Sequence, residues 1–244
     1  MAILVTRPLP DGETTARALR AKGYEVLVAP MLRFEPVAHH DEGDASYGAI
    51  IVTSANALRA IESRLSGSPL LKLPLFAVGE HTAEAAHRCG FANVISARSD
   101  AVGLRERILA SVKAKALKKT SPLLYFAGAD LARDLPGELG ERGFTVVTRT
   151  TYRMVAVPSL PEETCRAFAA NEVEAVLHYS RRSARAFIEA VRAAGVEILA
   201  LSLPQGCLSA GIAMVLRDAG TARVFVASAP DEAALFVALD GALR

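Results

Sequence analysis

ILVT at residues 3–6 begins a pattern that the chain repeats. A helical segment follows it and leads to GYEVL at residues 23–27. The second copy begins 120 residues later, with LLYF at residues 123–126 and GFTVV at residues 143–147. In both copies an apolar run is followed by helical spacing and then by a glycine that leads into another apolar run. Two related αβ units are therefore expected, and two similar domains that face each other predict a functional cleft.

Two further pairs of segments extend the repeat at slightly different spacings. IIVTS at 50–54 matches VLHYS at 176–180, and AVG at 77–79 matches CLS at 207–209. The apolar runs are continuous rather than alternating, which is typical of strands buried on both faces of a parallel sheet. We therefore predict βαβαβ order in each copy. The predicted strands cover residues 2–6, 24–28, 49–53, 75–78, 93–95, 123–127, 144–148, 174–179, 206–209 and 223–227.

Composition places the chain among globular proteins. Its 244 residues are enough for two domains, and 51% are hydrophobic while 22% are charged. The apolar runs are too short to span a bilayer, and the first residues lack the basic and apolar regions of a secretory signal. These features predict a cytoplasmic protein that does not enter a membrane.

Cysteine and histidine usage argues against a metal or cofactor site. The three cysteines are far apart and form no CxxC, and the five histidines have no ligand spacing with them. The chain lacks tryptophan and has a net charge of +2, so a nucleic-acid platform is not expected. Four lysines between residues 113 and 119 leave two interpretations, a solvated helix end or a nucleic-acid patch. The slight basic excess suits a small anionic substrate.

Two proline-bearing segments interrupt the αβ pattern at equivalent places in the two copies. Residues 30–36 and 150–158 read as extended chain, because proline opposes helix at these positions. We interpret them as the linkers between two domains. Residues 39–47 are polar and acidic, which predicts a loop.

Small polar residues follow the predicted strands, where a parallel sheet opens into helix N-termini. Such N-termini present free backbone N–H groups that bind carboxylate or phosphate, although a serine or threonine there can equally serve only to cap the helix. Dinucleotide, P-loop and nucleophile-elbow motifs are absent from the sequence. His178 is interpreted as a packed strand residue and His81 as exposed, rather than as acid/base groups.

In their order and spacing, several of these motifs resemble those of the uroporphyrinogen-III synthase family. They are VTRP at 5–8, IVTSANA at 51–57, FAVGEHTA at 76–83, GADLARDL at 128–135 and TYR at 151–153. The resemblance runs from residue 3 to about residue 238. It implies an α/β fold of two flavodoxin-like parallel-sheet domains joined by a two-stranded β-ladder. The domains would cover 1–35 with 156–244, and 36–155.

The resemblance also implies a reaction. The family dehydrates and cyclises hydroxymethylbilane, inverting ring D, to give uroporphyrinogen III in tetrapyrrole biosynthesis, and it uses no cofactor or metal. The substrate carries eight carboxylates, which agrees with the anion-binding strand ends. A monomer that binds this small molecule, with no nucleic-acid or membrane partner, is expected.

Carried over by motif, seven residues would line the cleft. Tyr152 matches the linker tyrosine that could assist departure of the hydroxyl group, although it could also be a plain hydrophobic anchor. The family usually has a threonine near 211–212, where this chain has Gly211 and Ile212, so backbone N–H groups are expected to replace a direct hydroxyl contact on that side. The other six residues that would line the cleft, all expected to bind substrate, are Arg7, Ser54, Thr82, Gly128, Ser180 and Ser209.

The alternative function is that of a cofactor-free, two-domain protein that binds a small anion without catalysis.

Overall fold

A computed structural model describes residues 1–38, 46–131 and 133–243. Most of the loop predicted at 39–47 lies outside these residues. The described strands are β1 (Ala2–Val5), β2 (Glu25–Val28), β3 (Leu32–Pro36), β4 (Ala49–Val52), β5 (Leu75–Ala77), β6 (Val94–Ser96), β7 (Leu123–Gly128), β8 (Val146–Ala156), β9 (Val173–His178), β10 (Gln205–Cys207) and β11 (Val224–Val226). The described α-helices are α1 (Asp11–Ala21), α2 (Ala55–Leu65), α3 (Glu80–Arg88), α4 (Ala101–Lys113), α5 (Leu135–Gly140), α6 (Glu162–Ala169), α7 (Arg181–Ala193), α8 (Glu197–Ser202), α9 (Ala210–Asp218) and α10 (Glu232–Ala242).

The chain divides into two compact units. Unit 1 comprises Met1–Arg33 and Val155–Arg244, and unit 2 comprises Phe34–Met154. The chain therefore passes between the units within β3 and again within β8. The domain limits expected from the sequence, 1–35 with 156–244 and 36–155, stay a prediction.

Unit 1 contains a sheet of five described strands in the order β2-β1-β9-β10-β11, with parallel neighbours. Numbered along the chain within the unit, this order is 2-1-3-4-5, which is the flavodoxin-like arrangement. One face of the sheet packs against α1 and α10, since Ile3 and Val5 share a buried cluster with Leu19 and Leu235.

Unit 2 contains a sheet of six described strands in the order β3-β8-β7-β4-β5-β6, and the pairings from β8 to β6 are parallel. If β3 is set aside and β7 and β8 are counted first, the order is again 2-1-3-4-5. Unit 2 thus repeats unit 1 with its first two strands moved to the end, which explains the interleaved repeat in the sequence. The predicted fold class is confirmed.

The continuously apolar strands are buried on both faces, as their sequence indicated. In β4, Ile50 and Val52 join one core cluster while Ala49 and Ile51 join the cluster on the opposite face. All four residues are fully buried. A helix layer therefore covers each side of the sheet.

The largest departure from the predicted strands concerns β8. The prediction of a strand at 144–148 was wrong in extent, because the strand begins at Val146 and continues to Ala156 through the predicted linker. The residues after 148 are rich in β-branched and aromatic side chains, which favour a strand. The two predicted linkers are neighbouring strands, β3 and β8, at one edge of the six-stranded sheet.

Among the described residues, no helix combines the length and the apolar composition needed to cross a lipid bilayer.

Candidate functional site

Three of the expected binding residues lie at one edge of the unit 1 sheet. Strands β1, β9 and β10 are parallel neighbours, so the residues that follow them meet at the carboxyl edge of the sheet. Those residues are Arg7, Ser180 and Ser209.

Arg7 is already engaged by groups of its own unit. Its guanidinium lies 3.1 Å from the Asp11 carboxylate and 3.3 Å from the Glu232 carboxylate. It also donates to Thr15 Oγ1 at 3.3 Å and lies over the Tyr179 ring at 4.9 Å. The side chain of Arg7 is 30% exposed, and these contacts fix its guanidinium in one position at the sheet edge.

The two expected serines of unit 1 begin helices in different ways. Ser180 caps α7, because its Oγ accepts a hydrogen bond from Ser183 N at 3.0 Å. Ser209 stands at the same position before α9, but within the described chain its Oγ accepts no bond from the helix backbone. The hydroxyl group of Ser209 therefore lacks the capping role that occupies Ser180.

His178 confirms its interpretation as a packed residue. It is fully buried, and its ring nitrogens lie 3.3 Å from Thr6 Oγ1 and 2.8 Å from Gln205 Oε1. Because Gln205 Nε2 donates to the carbonyl of Ala200, its Oε1 accepts from the Nε2–H of His178. Burial lowers the pKa of His178 to about 4, with the Gln205 hydrogen bond opposing the shift, so the ring is neutral at pH 7.

The other expected residues belong to the equivalent edge of unit 2. Ser54 follows β4 and caps α2, accepting a hydrogen bond from Asn56 N at 3.2 Å. Thr82 lies in the first turn of α3 after β5, but it is only 5% exposed and so is packed beneath the helix. Gly128 ends β7, opposite Tyr152 of β8 in the sheet register.

Tyr152 rests on Gly128. A Cβ atom placed on Gly128 would lie 2.8 Å from Tyr152 Cζ and 2.9 Å from its hydroxyl oxygen, which is closer than real Cβ contacts allow. The Tyr152 ring also stacks on Phe34 of β3, with centroids 5.7 Å apart and planes inclined by 23°. Phe34 in turn lies beneath the guanidinium of Arg59 from α2, whose Cζ is 4.4 Å from the ring centroid.

A second phenol stands on the neighbouring strand β7. Tyr125 is 2% exposed, and its hydroxyl group shares a hydrogen bond of 2.8 Å with Thr53 Oγ1 at the end of β4. Burial raises the pKa of Tyr125, so this phenol stays protonated at neutral pH. Its hydroxyl group is occupied by Thr53, which leaves Tyr152 as the more available phenol at this edge.

Sequence reasoning missed several neighbours of these residues. Glu232 binds Arg7 from a position 225 residues away, and Phe34 and Arg59 had no motif to mark them. Arg181 is exposed at the first position of α7, and its Cδ lies 3.8 Å from where a Cβ on Gly211 would stand. The SRRS run at 180–183 was the available signal for this arginine at a helix N-terminus.

Within the described residues, no group of three or more histidine, cysteine or carboxylate side chains could hold a metal ion. Cys89, Cys165 and Cys207 carry free thiols.

Comparison with known proteins relates both units to one family. The sequence model of uroporphyrinogen-III synthase HemD matches residues 13–237, which is most of the chain. Two solved structures are similar in fold. The first is uroporphyrinogen-III synthetase from Helicobacter pylori, which is 18% identical with a TM-score of 0.66, over 100% of this chain and 99% of that one.

The second is a mutant uroporphyrinogen III synthase from Thermus thermophilus, which is 17% identical with a TM-score of 0.56, over 100% of this chain and 99% of that one. No curated protein sequence matches the chain. The structural likeness, at these identities, shows the shared fold. The family match extends from α1 into α10 and so takes in strands of both sheets, and on that ground the chain belongs to the uroporphyrinogen-III synthase family.

Proposed function

We propose that the protein is a lyase that converts hydroxymethylbilane into uroporphyrinogen III, with loss of water, inversion of ring D and ring closure. The family match over residues 13–237 is the observation that carries the proposal. The protein acts as a cytoplasmic monomer without metal or cofactor, and it has no nucleic-acid partner.

The sheet edges supply groups that suit a polycarboxylate substrate. Helices α7 and α9 begin at the unit 1 edge, where their free N–H groups attract carboxylates. Arg181 adds positive charge there, and Arg7, whose charge is balanced by Asp11 and Glu232, supplies N–H donors. A hydrogen bond to a charged group contributes about 1.5–3 kcal/mol, so a few such contacts hold a flexible tetrapyrrole in one conformation. Control of conformation is the main requirement, because it decides which isomer forms on closure.

Tyr152 is the proposed group for the chemical step. The hydroxyl group of the substrate leaves as water, which requires a proton at the departing oxygen. The phenol of Tyr152 gives its proton to that oxygen, directly or through a water molecule, and regains a proton from the pyrrole carbon that loses its hydrogen on ring closure. Its position at the strand edge beside Gly128, and the occupied state of the neighbouring Tyr125 phenol, support this assignment.

The decisive experiment supplies purified protein with freshly generated hydroxymethylbilane and resolves the uroporphyrinogen isomers after oxidation to porphyrins. Isomer III should dominate, whereas a reaction with heat-inactivated protein should give isomer I. Formation of isomer I alone at high protein concentration would exclude the proposed activity. The alternative, an anion-binding protein without catalysis, predicts saturable substrate binding with no isomer III, and the family match does not favour it.

A further inference from the structure

We propose that Phe34, and Arg59 through it, are positioning residues that hold the Tyr152 phenol in place over Gly128. The inference rests on the proposed function, which gives the phenol its reaction. Every contact that carries it lies within unit 2.

Gly128 is the residue against which the Tyr152 ring packs. The ring of Tyr152 comes so close that a Cβ at position 128 would lie 2.8 Å from Cζ. The backbone of Gly128 is paired with Tyr152 in the register of β7 and β8, so Gly128 cannot move away from the ring without breaking the pairing of these strands. A side chain at position 128 would therefore displace the phenol rather than the strand.

Phe34 is the neighbour that fixes the ring from β3. The two rings are 5.7 Å apart and nearly parallel, which is a favourable stacked geometry. A tyrosine has a few staggered rotamers about its first side-chain torsion. Contacts with both Gly128 and Phe34 select one of them, so the hydroxyl group is presented at a fixed point.

Arg59 extends the stack to helix α2. Its guanidinium lies over the Phe34 ring at 4.4 Å, a cation–π distance. The helix that carries Arg59 begins at the Ser54 cap and also contacts β8, where Asn56 Nδ2 lies 4.0 Å from Met154 Sδ. Arg59 thus ties the orientation of Phe34 to a helix that is anchored at the same sheet edge.

The first test measures the environment of the Tyr152 phenol by fluorine NMR, in the absence of substrate. The chain has five tyrosines, so protein labelled with 3-fluorotyrosine should give five fluorine resonances, and the one lost in Tyr152→Phe identifies Tyr152. Phe34→Leu should shift that resonance and leave the other four in place, while Phe34→Tyr, which adds a sixth resonance of its own, should return the Tyr152 resonance to its original position. Arg59→Met should shift it less, and Arg64→Met, the same change at an exposed site on α2, should not shift it.

The second test measures turnover and the isomer ratio. Phe34→Leu should lower kcat by about 2- to 12-fold at nearly unchanged KM, with more isomer I, and Arg59→Met by about 2- to 5-fold. Arg59→Lys should recover part of the loss because it restores the positive charge. Gly128→Ala should approach the loss seen in Tyr152→Phe.

Combination with Tyr152→Phe separates positioning from general damage. If Phe34 acts through the phenol, Phe34→Leu should cause no further loss of kcat in the Tyr152→Phe protein. Additive losses, or a Tyr152 resonance unmoved by Phe34→Leu, would overturn the inference. A Tyr152→Phe protein with the kcat of the unmutated protein would also overturn the inference. The proposed function would still stand in that case, provided that isomer III is formed. An inability of the unmutated protein to form isomer III would instead remove the proposed function itself.

Discussion

Protonation of His178 should destabilise the protein in mild acid. The ring is fully buried, and the groups it contacts are neutral: Thr6, Gln205 and the edge-on ring of Phe187 at 5.0 Å. Burial lowers the pKa of His178 from 6.5 to about 4. The unfolded chain therefore takes up a proton near pH 6.5, whereas the folded protein resists it until about pH 4.

The sign and size follow from proton linkage. The contribution of the neutral ring is complete above pH 6.5 and is lost as the pH falls towards 4, with a slope of about 1.36 kcal/mol per pH unit. The interval between 6.5 and about 4 corresponds to about 3 kcal/mol in total. Between pH 7 and pH 5, the loss assigned to His178 should be about 2 kcal/mol.

Urea titrations at pH 7, 6 and 5 would measure this loss. His178→Gln keeps an N–H donor for Gln205 but does not titrate, so its free energy of unfolding should fall less steeply with pH than that of the unmutated protein. His81→Gln, a matched change at an exposed histidine, should follow the unmutated protein. Parallel curves for His178→Gln and the unmutated protein would refute the reasoning, because buried and unfolded histidine would then have the same pKa.

Four other predictions concern the proposed activity. Tyr152→Phe should lower turnover by less than about a hundredfold, the lower end for a positioned proton donor, and should raise the share of isomer I; unchanged turnover and isomer ratio would remove the phenol from the chemistry. Arg7→Ala should raise KM by about tenfold or more, as expected for a lost charged hydrogen bond; an unchanged KM with reduced turnover would contradict a binding role. Ser180→Ala should lower stability by about 1 kcal/mol because it removes a helix cap, whereas Ser209→Ala should leave stability nearly unchanged and weaken substrate binding; equal losses of stability, measured by urea titration, would refute the distinction. Activity should survive treatment with a chelator, and a loss restored by one particular metal would show that the protein is a metalloenzyme.

The class of fold could be predicted because its signal is local. Four consecutive apolar residues in β4 can be buried only if both faces of the sheet are covered, and Ala49–Val52 is buried in this way. The course of β8 was harder to predict. Its residues beyond 148 favour a strand, but the prolines of the linkers indicated only extended chain, and a two-stranded ladder at the linkers was implied by the family resemblance alone.

The strand ends were also predictable, but their side-chain contacts were not. Arg7 and Ser209 each follow a strand of a parallel sheet, and this alone places them at one edge of the sheet, regardless of which side chains they contact. That Glu232 holds Arg7, or that Phe34 stacks on Tyr152, depends on which distant residues packing brings together. A single sequence carries no local pattern for such contacts, so the roles of the expected site residues stay predictions.

The rearranged strand order has a consequence for how the chain folds during synthesis. Unit 2 is formed from one uninterrupted stretch, Phe34–Met154, and its contacts can form as soon as the ribosome has released it. Strand β1 is made before all of unit 2, yet one of its two neighbours is β9, and Val5 pairs with Leu177, 172 positions later. Closing so long a loop is slow, and until it closes β1 has an unpaired edge. Folding of unit 1 therefore waits for nearly the whole chain, and the half-built unit is the stage at which nascent protein most needs protection from aggregation.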